Sequence, residues 1–479
     1  MPNSFEYLPK NKRKNILLIC DDIRVHSGVA TVAKEIVIKT SHHFNWVNFA
    51  GSVNHPEKGK RIDLSADTSK NANIDDAYTM LYPVDGYGNS DLLRIIIKEE
   101  KIDAIMLITD PRYFEYIFQM ENEIRKNTPI AYLNIWDDYP TPLYNKAFYE
   151  ACDLLMGISK QTVNINRLVL DEKVGNKILR YVPHGLDKDK FYPMTEDELS
   201  TKEFTNFKDF IFENKQFEYV VFFNSRNIRR KQIPDTMLAF RHFLDKLPEN
   251  QAKKCALLLH TEIVSEHGTD LLAVKELLFD GFEDNVLFTK GKLATEQMNW
   301  LYNMADVQIL LSSNEGWGLS LTEALLTGTP FIANVTGGMQ DQMRFTDGNG
   351  EWFTPDSNVP SNHRGTYKNC GEWVKPIFPA SISLQGSPKT PYIWDDRCSP
   401  EDTSDAILDW YSNKNRKENG IKGREWAISN EAGFTSEHQA DRVIEAFNTL
   451  FETWKPREKF EFIKLNEVKN KVVPHKLLY

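Results

Sequence analysis

Short apolar runs rich in β-branched residues alternate with longer amphipathic stretches along most of the chain, and this alternation limits the folds open to it. The runs form two series, which begin at Asn15, Asp103, Pro129, Leu154 and Ile178, and then at Tyr219, Cys255, Val286, Val307 and Pro330. Apolar runs of this kind between helical patterns are typical of buried parallel strands. Two successive series predict an α/β protein with two doubly wound, Rossmann-like parallel-sheet domains.

A Pro-His-Gly turn marks the boundary between the two series. It follows the run that ends near Val182, and a polar stretch comes after it. We predict an N-terminal domain over residues 1–195 and a C-terminal domain over 196–440. Residues 356–402 are rich in Pro, Ser and Gly and too long for a simple connection, so they form either a functional loop or a small inserted subdomain. Residues 441–479 are predicted to form a helix and tail that cross back to the N-terminal domain.

Charge balance and cysteine spacing disfavour several classes of protein. The chain has 58 basic and 68 acidic side chains, a formal charge of -10, which argues against binding to nucleic acid or anionic lipid through a basic surface. No apolar run reaches the roughly 18 to 20 residues that a membrane span needs. The five cysteines are far apart, so neither a disulfide framework nor a zinc site is predicted. We expect a cytoplasmic protein without a strong membrane signal.

The strongest local pattern is the stretch SSNEGWGLSLTEALLTGTP at residues 312–330. A strand ends there, a glycine-containing turn follows, and a helix begins near Leu319. Glycines allow a ligand to approach the backbone, and the first turn of a helix offers unpaired N–H groups to anions. Glu315 in the turn and Glu323 one turn into the helix suit sugar hydroxyls, to which carboxylates bind through charge-assisted hydrogen bonds. The alternative is a tight turn followed by a solvated Glu323.

A second pattern is the basic loop that follows the strand ending at Asn224. Arg226 and Lys231 lie where such a loop can direct cations into a crevice between domains. Fixed cations there would stabilise the charge that develops on a leaving diphosphate. Four cations in six residues are also typical of a solvated turn, and Arg229 and Arg230 are predicted to be surface residues.

Three further strand ends carry candidate residues. Gly28 follows the first strand, and Gly337 and Gly338 follow the run that begins at Pro330. Asp137 and Asp138 follow the run that begins at Pro129, where they are candidates for the acceptor side of the cleft. A helix N-cap is an equal interpretation for Asp138.

Residues 312–330 resemble the E-x7-E motif of GT-B fold retaining glycosyltransferases of family 4, the glycosyl transferases group 1 type. The resemblance implies two Rossmann-like domains that face each other across a cleft, an N-terminal acceptor-binding domain (1–195) and a C-terminal nucleotide-sugar-binding domain (196–440). It also implies that Glu315 holds a hydroxyl of a donor sugar and Glu323 the ribose hydroxyls of its nucleotide. The N–H groups of Trp317, Gly318 and Leu319 would then lie near the donor sugar and its phosphates; Trp317 replaces the usual Phe.

The remaining patterns resemble parts of the same family. Its R…K-G pattern matches Arg226 and Lys231, with Gln232 in place of the glycine. Gly28 matches one of two glycines in its first loop, and Gly337 and Gly338 match a T-G-G…D turn, ending at Asp341, whose glycine N–H groups would face the cleft. Asp137 takes the position of an aspartate that many relatives carry after a histidine, and Trp136 replaces that histidine.

The resemblance implies transfer of a sugar from a nucleotide-diphosphate sugar, such as a UDP- or GDP-sugar, with retention of anomeric configuration. No nucleophile is evident on the acceptor-facing side, so we favour a front-face route in which the leaving diphosphate accepts the acceptor's proton. Metal dependence is not implied, because the D-x-D triplet at Asp187–Asp189 lies in the segment between the domains. The prediction is a metal-independent hexosyltransferase without a further cofactor.

The sequence does not identify the acceptor. A soluble acceptor is favoured over a lipid-linked glycan, since the 161–180 stretch mixes acidic residues among its cations. A DNA-base-modifying glycosyltransferase fits poorly with the net charge, although the tail at 455–479 could contact phosphates. A non-catalytic sugar- or nucleotide-binding relative is a rival hypothesis for the function, and so is an epimerase or phosphorylase of the same fold.

Overall fold

The computed structural model describes residues 5–52, 54–356 and 363–457, which form two parallel-sheet α/β domains, as predicted. The strands of the N-terminal domain are β1 (Lys14–Asp21), β2 (Phe44–Ser52), β3 (Ile62–Asp63), β4 (Thr79–Asp85), β5 (Ala104–Ile108), β6 (Ile130–Asn134), β7 (Leu154–Gly157) and β8 (Ile178–Tyr181). They form one sheet in the order β3-β4-β2-β1-β5-β6-β7-β8, in which only β3 runs antiparallel to its neighbour.

Helices cover both faces of this sheet, which is why the centre of β1 is an unbroken apolar run from Ile16 to Cys20 whose residues are completely buried. The helices are α1 (Gly28–Thr40), α2 (Ser65–Ala72), α3 (Ser90–Glu99), α4 (Glu115–Gln119), α5 (Glu121–Ile124), α6 (Lys146–Ala151) and α7 (Lys160–Leu170). The predicted strands omit β2 and β4. In β2 the apolar pattern is interrupted by Asn45 and Asn48, and Asn48 is buried with its amide donating to the Leu18 carbonyl (3.2 Å).

The C-terminal domain has a six-stranded, all-parallel sheet. Its strands are β9 (Tyr219–Asn224), β10 (Cys255–His260), β11 (Val286–Phe288), β12 (Val307–Leu310), β13 (Phe331–Asn334) and β14 (Val374–Ile377), in the order β11-β10-β9-β12-β13-β14. Its helices are α8 (Glu196–Leu199), α9 (Lys202–Ile211), α10 (Ile233–Asp245), α11 (Glu249–Ala252), α12 (Leu271–Leu278), α13 (Thr295–Met304), α14 (Leu319–Thr327), α15 (Met339–Met343), α16 (Pro400–Ser412) and α17 (Arg416–Ala427). The last helix, α18 (Ser436–Thr453), follows the return crossing to the N-terminal domain.

The irregular region between 356 and 402 has two structural parts within its described residues. Strand β14 is an edge strand of the main sheet. It is followed by an antiparallel hairpin of β15 (Ser381–Ser387) and β16 (Thr390–Arg397), which belongs to neither large sheet. Residues 357–362 of the region lie outside the described residues.

The chain crosses between the domains twice, and the two crossings touch. The Leu186 N–H donates to the Phe434 carbonyl (3.1 Å), and the Ser436 N–H donates to the Leu186 carbonyl (2.9 Å). Helix α18 then packs against the N-terminal domain, where Glu437 pairs with Lys39 (2.7 Å). The predicted tail extends to residue 479, and its part from 458 onward lies outside the described residues. No helix in the described ranges is long and apolar enough to cross a membrane.

Candidate active site

The loop between β12 and α14 carries Glu315 and is held in place by the loop that follows β13. Gly318 caps α14 with a φ of 86°, a left-handed conformation that favours glycine. Gly337 also has a positive φ, and a Cβ added there would lie 2.0 Å from the Glu315 carbonyl oxygen. The Gly338 N–H donates to that same carbonyl (3.0 Å), so the prediction that this N–H faces the cleft is wrong. Both glycines instead allow the two loops to pack closely.

Glu315 is the centre of a buried ion-pair cluster. Its Oε2 accepts hydrogen bonds from Lys231 Nζ, from Arg230 Nη1 (2.9 Å) and from Ser312 Oγ (3.2 Å). Burial by itself raises the pKa of Glu315, but Arg230 and Lys231 outweigh it and lower that pKa to about 2. Burial lowers the pKa of Lys231, and Glu315 opposes this shift. A strongly ionised carboxylate and two cations thus meet at one end of the sheet.

Arg230, predicted as a surface residue, stays partly exposed (34% of its side chain) but is ion-paired with Glu315 and not simply solvated. Residues Arg229–Lys231 form a 3-10 turn, which carries the side chains of both Arg230 and Lys231 to the Glu315 loop. Arg230 also donates to the Asn314 carbonyl (2.7 Å). Arg226, the predicted partner of Lys231, has an exposed side chain and forms no ion pair with a residue of the described ranges. In the sequence, the one sign that Arg230 could take part in the site was its position next to Lys231.

Glu323 is hydrogen-bonded on the same sheet edge and is not a solvated helix residue. Its Oε2 accepts from the Tyr302 hydroxyl (2.5 Å) and from the Asn224 amide (3.0 Å). Burial raises the pKa of Glu323 to about 7, against the lowering effect of these two hydrogen bonds. Asn224 ends β9, which neighbours β12, so Glu323 and the Glu315 cluster lie along the carboxyl ends of adjacent parallel strands.

Two helix N-termini, one from each domain, meet beside these carboxylates. Gly28 begins α1, and a Cβ added to it would lie 3.7 Å from a methyl group of Leu319, the first residue of α14. Unpaired N–H groups at the start of a helix attract anions. The Trp317 side chain lies elsewhere: it is buried against Phe434, with ring centroids 5.0 Å apart, and donates to Thr322 Oγ1 (2.9 Å).

The loop after β6 places Asp137 and Asp138 in different surroundings. Asp137 adjoins the Glu315 loop, since a Cβ added to Gly316 would lie 3.5 Å from its Oδ1. Burial raises the pKa of Asp137, and Arg230 opposes the shift. Asp138 is completely buried and accepts from Gln161 Nε2 (3.1 Å) and from Thr336 Oγ1 (3.3 Å). Asp138 thus joins the two domains and neither caps a helix nor offers a surface to an acceptor.

Asp341, in α15, is the acidic residue of the T-G-G…D pattern; no site role was predicted for it, and it forms a second bond between the domains. Its Oδ2 accepts from the Lys160 N–H at the start of α7 and from the Tyr181 hydroxyl, each at 2.9 Å. Burial raises the pKa of Asp341 to about 6. No group of three or more His, Cys, Asp or Glu side chains that could hold a metal ion comes together in the described part of the chain.

Comparisons with known proteins found a matching family model and one curated relative. Residues 205–361 match the family described as "Glycosyl transferases group 1". A mannosylfructose-phosphate synthase from Agrobacterium fabrum is 28% identical over 196 residues, which are 40% of this chain and 39% of that protein. The match therefore spans about two fifths of the length of this curated relative.

Solved structures resemble the chain over most of its length. Sucrose-phosphate synthase from Thermosynechococcus elongatus superposes with a TM-score of 0.63 and 16% identity, over 92% of this chain and 100% of that chain. HepE from Anabaena, in complex with UDP and glucose, superposes with a TM-score of 0.61 and 12% identity, over 91% of this chain and 100% of that chain. The protein therefore has the GT-B fold of glycosyltransferases, and its residues 205–361 match the glycosyl transferases group 1 family.

Proposed function

We propose that this protein is a retaining, metal-independent hexosyltransferase of family 4 that transfers a sugar from a nucleotide-diphosphate sugar to a soluble hydroxyl acceptor. The observation that carries the proposal is the grouping of Lys231, Arg230 and Glu315 on the same sheet edge as Glu323. The match of residues 205–361 to the family supports it. The solved complex of HepE with UDP and glucose supports a UDP-sugar as the donor.

In this proposal each group around the cleft has a separate task in donor binding. Ionised Glu323 accepts hydrogen bonds from the ribose hydroxyls, and Glu315 accepts one from a hydroxyl of the donor sugar. The N-termini of α1 and α14, with Gly28, Gly318 and Leu319, contact the diphosphate. Gly337 stabilises the Glu315 loop by close packing.

The proposed transfer step breaks the bond between the anomeric carbon and the diphosphate oxygen. The acceptor oxygen attacks the anomeric carbon on the face that the diphosphate leaves, and its proton passes to a diphosphate oxygen. Lys231 and Arg230 stabilise the negative charge that develops on the diphosphate, most effectively in a dry cleft. Asp137, on the N-terminal wall of the cleft, holds the acceptor hydroxyl beside the leaving diphosphate, so both reactants are oriented before the bond breaks.

The proposal is tested by nucleotide release from UDP-, GDP- and ADP-sugars without an acceptor. We expect slow hydrolysis of one donor, unchanged by EDTA, and its loss in Lys231→Ala. Arg229→Ala is the matched control, because Arg229 is an exposed cation of the same turn. Tight nucleotide binding without hydrolysis would identify a non-catalytic relative, and free epimerised sugar would identify an epimerase.

A further inference from the structure

The hairpin β15–β16 closes one side of the candidate active site by bonding to both of its walls. In the C-terminal domain, the Asp396 N–H donates to the Ser313 carbonyl (2.9 Å), two residues before Glu315. In the N-terminal domain, the Trp394 N–H donates to the Tyr139 carbonyl (2.8 Å), two residues after Asp137. Strand β16 therefore lies beside the two loops that carry these carboxylates. The hairpin also lies outside the residues that match the family.

Aromatic side chains join the hairpin to the N-terminal wall. The rings of Tyr392 and Tyr144 have centroids 4.8 Å apart, and those of Tyr144 and Trp136 have centroids 5.7 Å apart. The Tyr144 hydroxyl donates to the Tyr392 carbonyl (2.8 Å), and Trp394 packs on the same apolar cluster. Trp136 is buried and the Arg112 guanidinium lies over its ring (5.2 Å), so the half-buried rings of Tyr392 and Trp394 on the hairpin are the ones with surface left for a ligand. An aromatic ring offers an apolar face that suits the apolar face of a sugar ring.

The two arginines beside this wall, Arg112 and Arg397, already have carboxylate partners. Arg112 donates to the Lys389 carbonyl (3.1 Å) at the hairpin tip and pairs with Asp110. Arg397 pairs with Asp395 (3.1 Å). A phosphoryl group needs a cation that is free to bind it, whereas carboxylates and aromatic rings favour neutral hydroxyl groups. The exposed Lys389 side chain is the cation of the hairpin best placed to serve a phosphorylated acceptor instead.

We propose that the hairpin Ser381–Arg397 is the specificity element of the acceptor site and that it admits a neutral, polyhydroxylated acceptor such as a sugar. This proposal rests on the proposed glycosyltransferase function. The acceptor ring lies between Asp137 and the aromatic side chains of the hairpin, Tyr392 and Trp394. Trp394 is a specificity residue that contacts the acceptor and takes no part in donor hydrolysis.

The first experiment measures how acceptors stimulate nucleotide release by the full chain, with the donor that it hydrolyses. D-glucose and D-fructose are compared with glucose 6-phosphate, fructose 6-phosphate and duplex DNA. We expect stimulation by a neutral sugar and none by the other probes. Greater stimulation by a sugar phosphate or by DNA, or none by the neutral sugars, overturns the proposal. Absence of donor hydrolysis in the wild type would instead contradict the proposed function itself.

The second experiment separates recognition of the acceptor from folding of the hairpin. In Trp394→Ala we expect the KM for the neutral sugar to rise about tenfold or more while donor hydrolysis changes less than about twofold. Trp394→Phe should restore much of the affinity. Lys389→Ala is the matched control, because it keeps the carbonyl that Arg112 contacts, and its KM should not change. Equal losses of hydrolysis and transfer in Trp394→Ala, or a higher KM in Lys389→Ala, would overturn the proposal.

Discussion

The C-terminal wall of the cleft is assembled from two short segments, whereas the N-terminal wall is assembled from distant ones. Residues 224–231 and 312–323 supply the cations and both glutamates of the first wall. The second wall combines the start of α1, the loops after β5 and β6, and a hairpin that belongs to the C-terminal half of the chain. The compact wall is the one whose chemistry can be recognised as a pattern in the sequence. The dispersed wall carries the features that would select an acceptor.

The largest effect should come from the compact wall. We expect Lys231→Ala to lower turnover by about 10² or more, because it removes a buried cation from the charge that develops on the diphosphate. Turnover with a hydrolysed donor is the measurement, and Arg229→Ala is the control. Turnover near the wild-type value in Lys231→Ala would contradict the assignment of this wall to the donor.

A second pair of variants decides which arginine works with Lys231. The sequence pattern indicates Arg226, whereas the structure places Arg230 against Glu315. We expect Arg230→Ala to lower turnover by about tenfold or more, and Arg226→Ala to have a smaller effect, since an exposed charge is screened by water. The opposite order would mean that the loop rearranges when the donor binds and brings Arg226 into the cleft.

The KM for the donor should depend on whether Glu323 is protonated. The pKa of its carboxyl is raised to about 7, so the group is largely protonated at pH 6 and ionised at pH 8. Because hydrogen bonds from ribose hydroxyls favour the ionised form, the KM for the donor should fall as the pH rises through 7. Glu323→Gln should raise the donor KM at pH 8 by about tenfold, the value of a charge-assisted hydrogen bond, and remove the pH dependence. A donor KM that varies with pH equally in both proteins would contradict the assignment.

The smallest expected effect concerns the bond between the walls. Asp341→Ala leaves the Lys160 N–H and the Tyr181 hydroxyl without their acceptor and should lower the free energy of unfolding by about 1–3 kcal/mol. Arg344→Ala, which breaks a largely exposed pair with Glu431, should cost less than about 1 kcal/mol. Chemical denaturation at pH 7.5 measures both. Equal losses would contradict a structural role for Asp341.

The same carboxyl predicts a pH dependence of stability. Its folded pKa of about 6 lies above the ordinary value of 3.8, so the native state retains its proton to higher pH than the unfolded state. Stability from this group is therefore complete below about pH 4 and falls as the pH rises through 6. Asp341→Asn should remove that part of the profile.

Local patterns in the sequence determined the two parallel sheets and the positions of Glu315, Glu323 and Lys231 at strand ends. A parallel strand covered on both faces is usually apolar through its buried centre, so β1 and β9 can be recognised from the sequence without any tertiary information. Strand β2 could not be recognised in this way, because it contains Asn48. The buried Asn48 amide is satisfied by hydrogen bonds to Leu18 and Ile23, which are distant in the sequence.

Only the tertiary structure decided which groups those residues meet. Glu315 and Lys231 are 84 positions apart, and Trp394 contacts a loop of the other domain, so neither contact leaves a periodic signal. Arg226 and Arg230 are the same residue type, so the sequence does not distinguish them. In the structure the 3-10 turn directs Arg230 to Glu315, whereas Arg226 stays exposed. Periodicity reports which face of an element is buried, whereas charge pairing depends on how elements meet in space, and this is where the chemistry of the cleft is set.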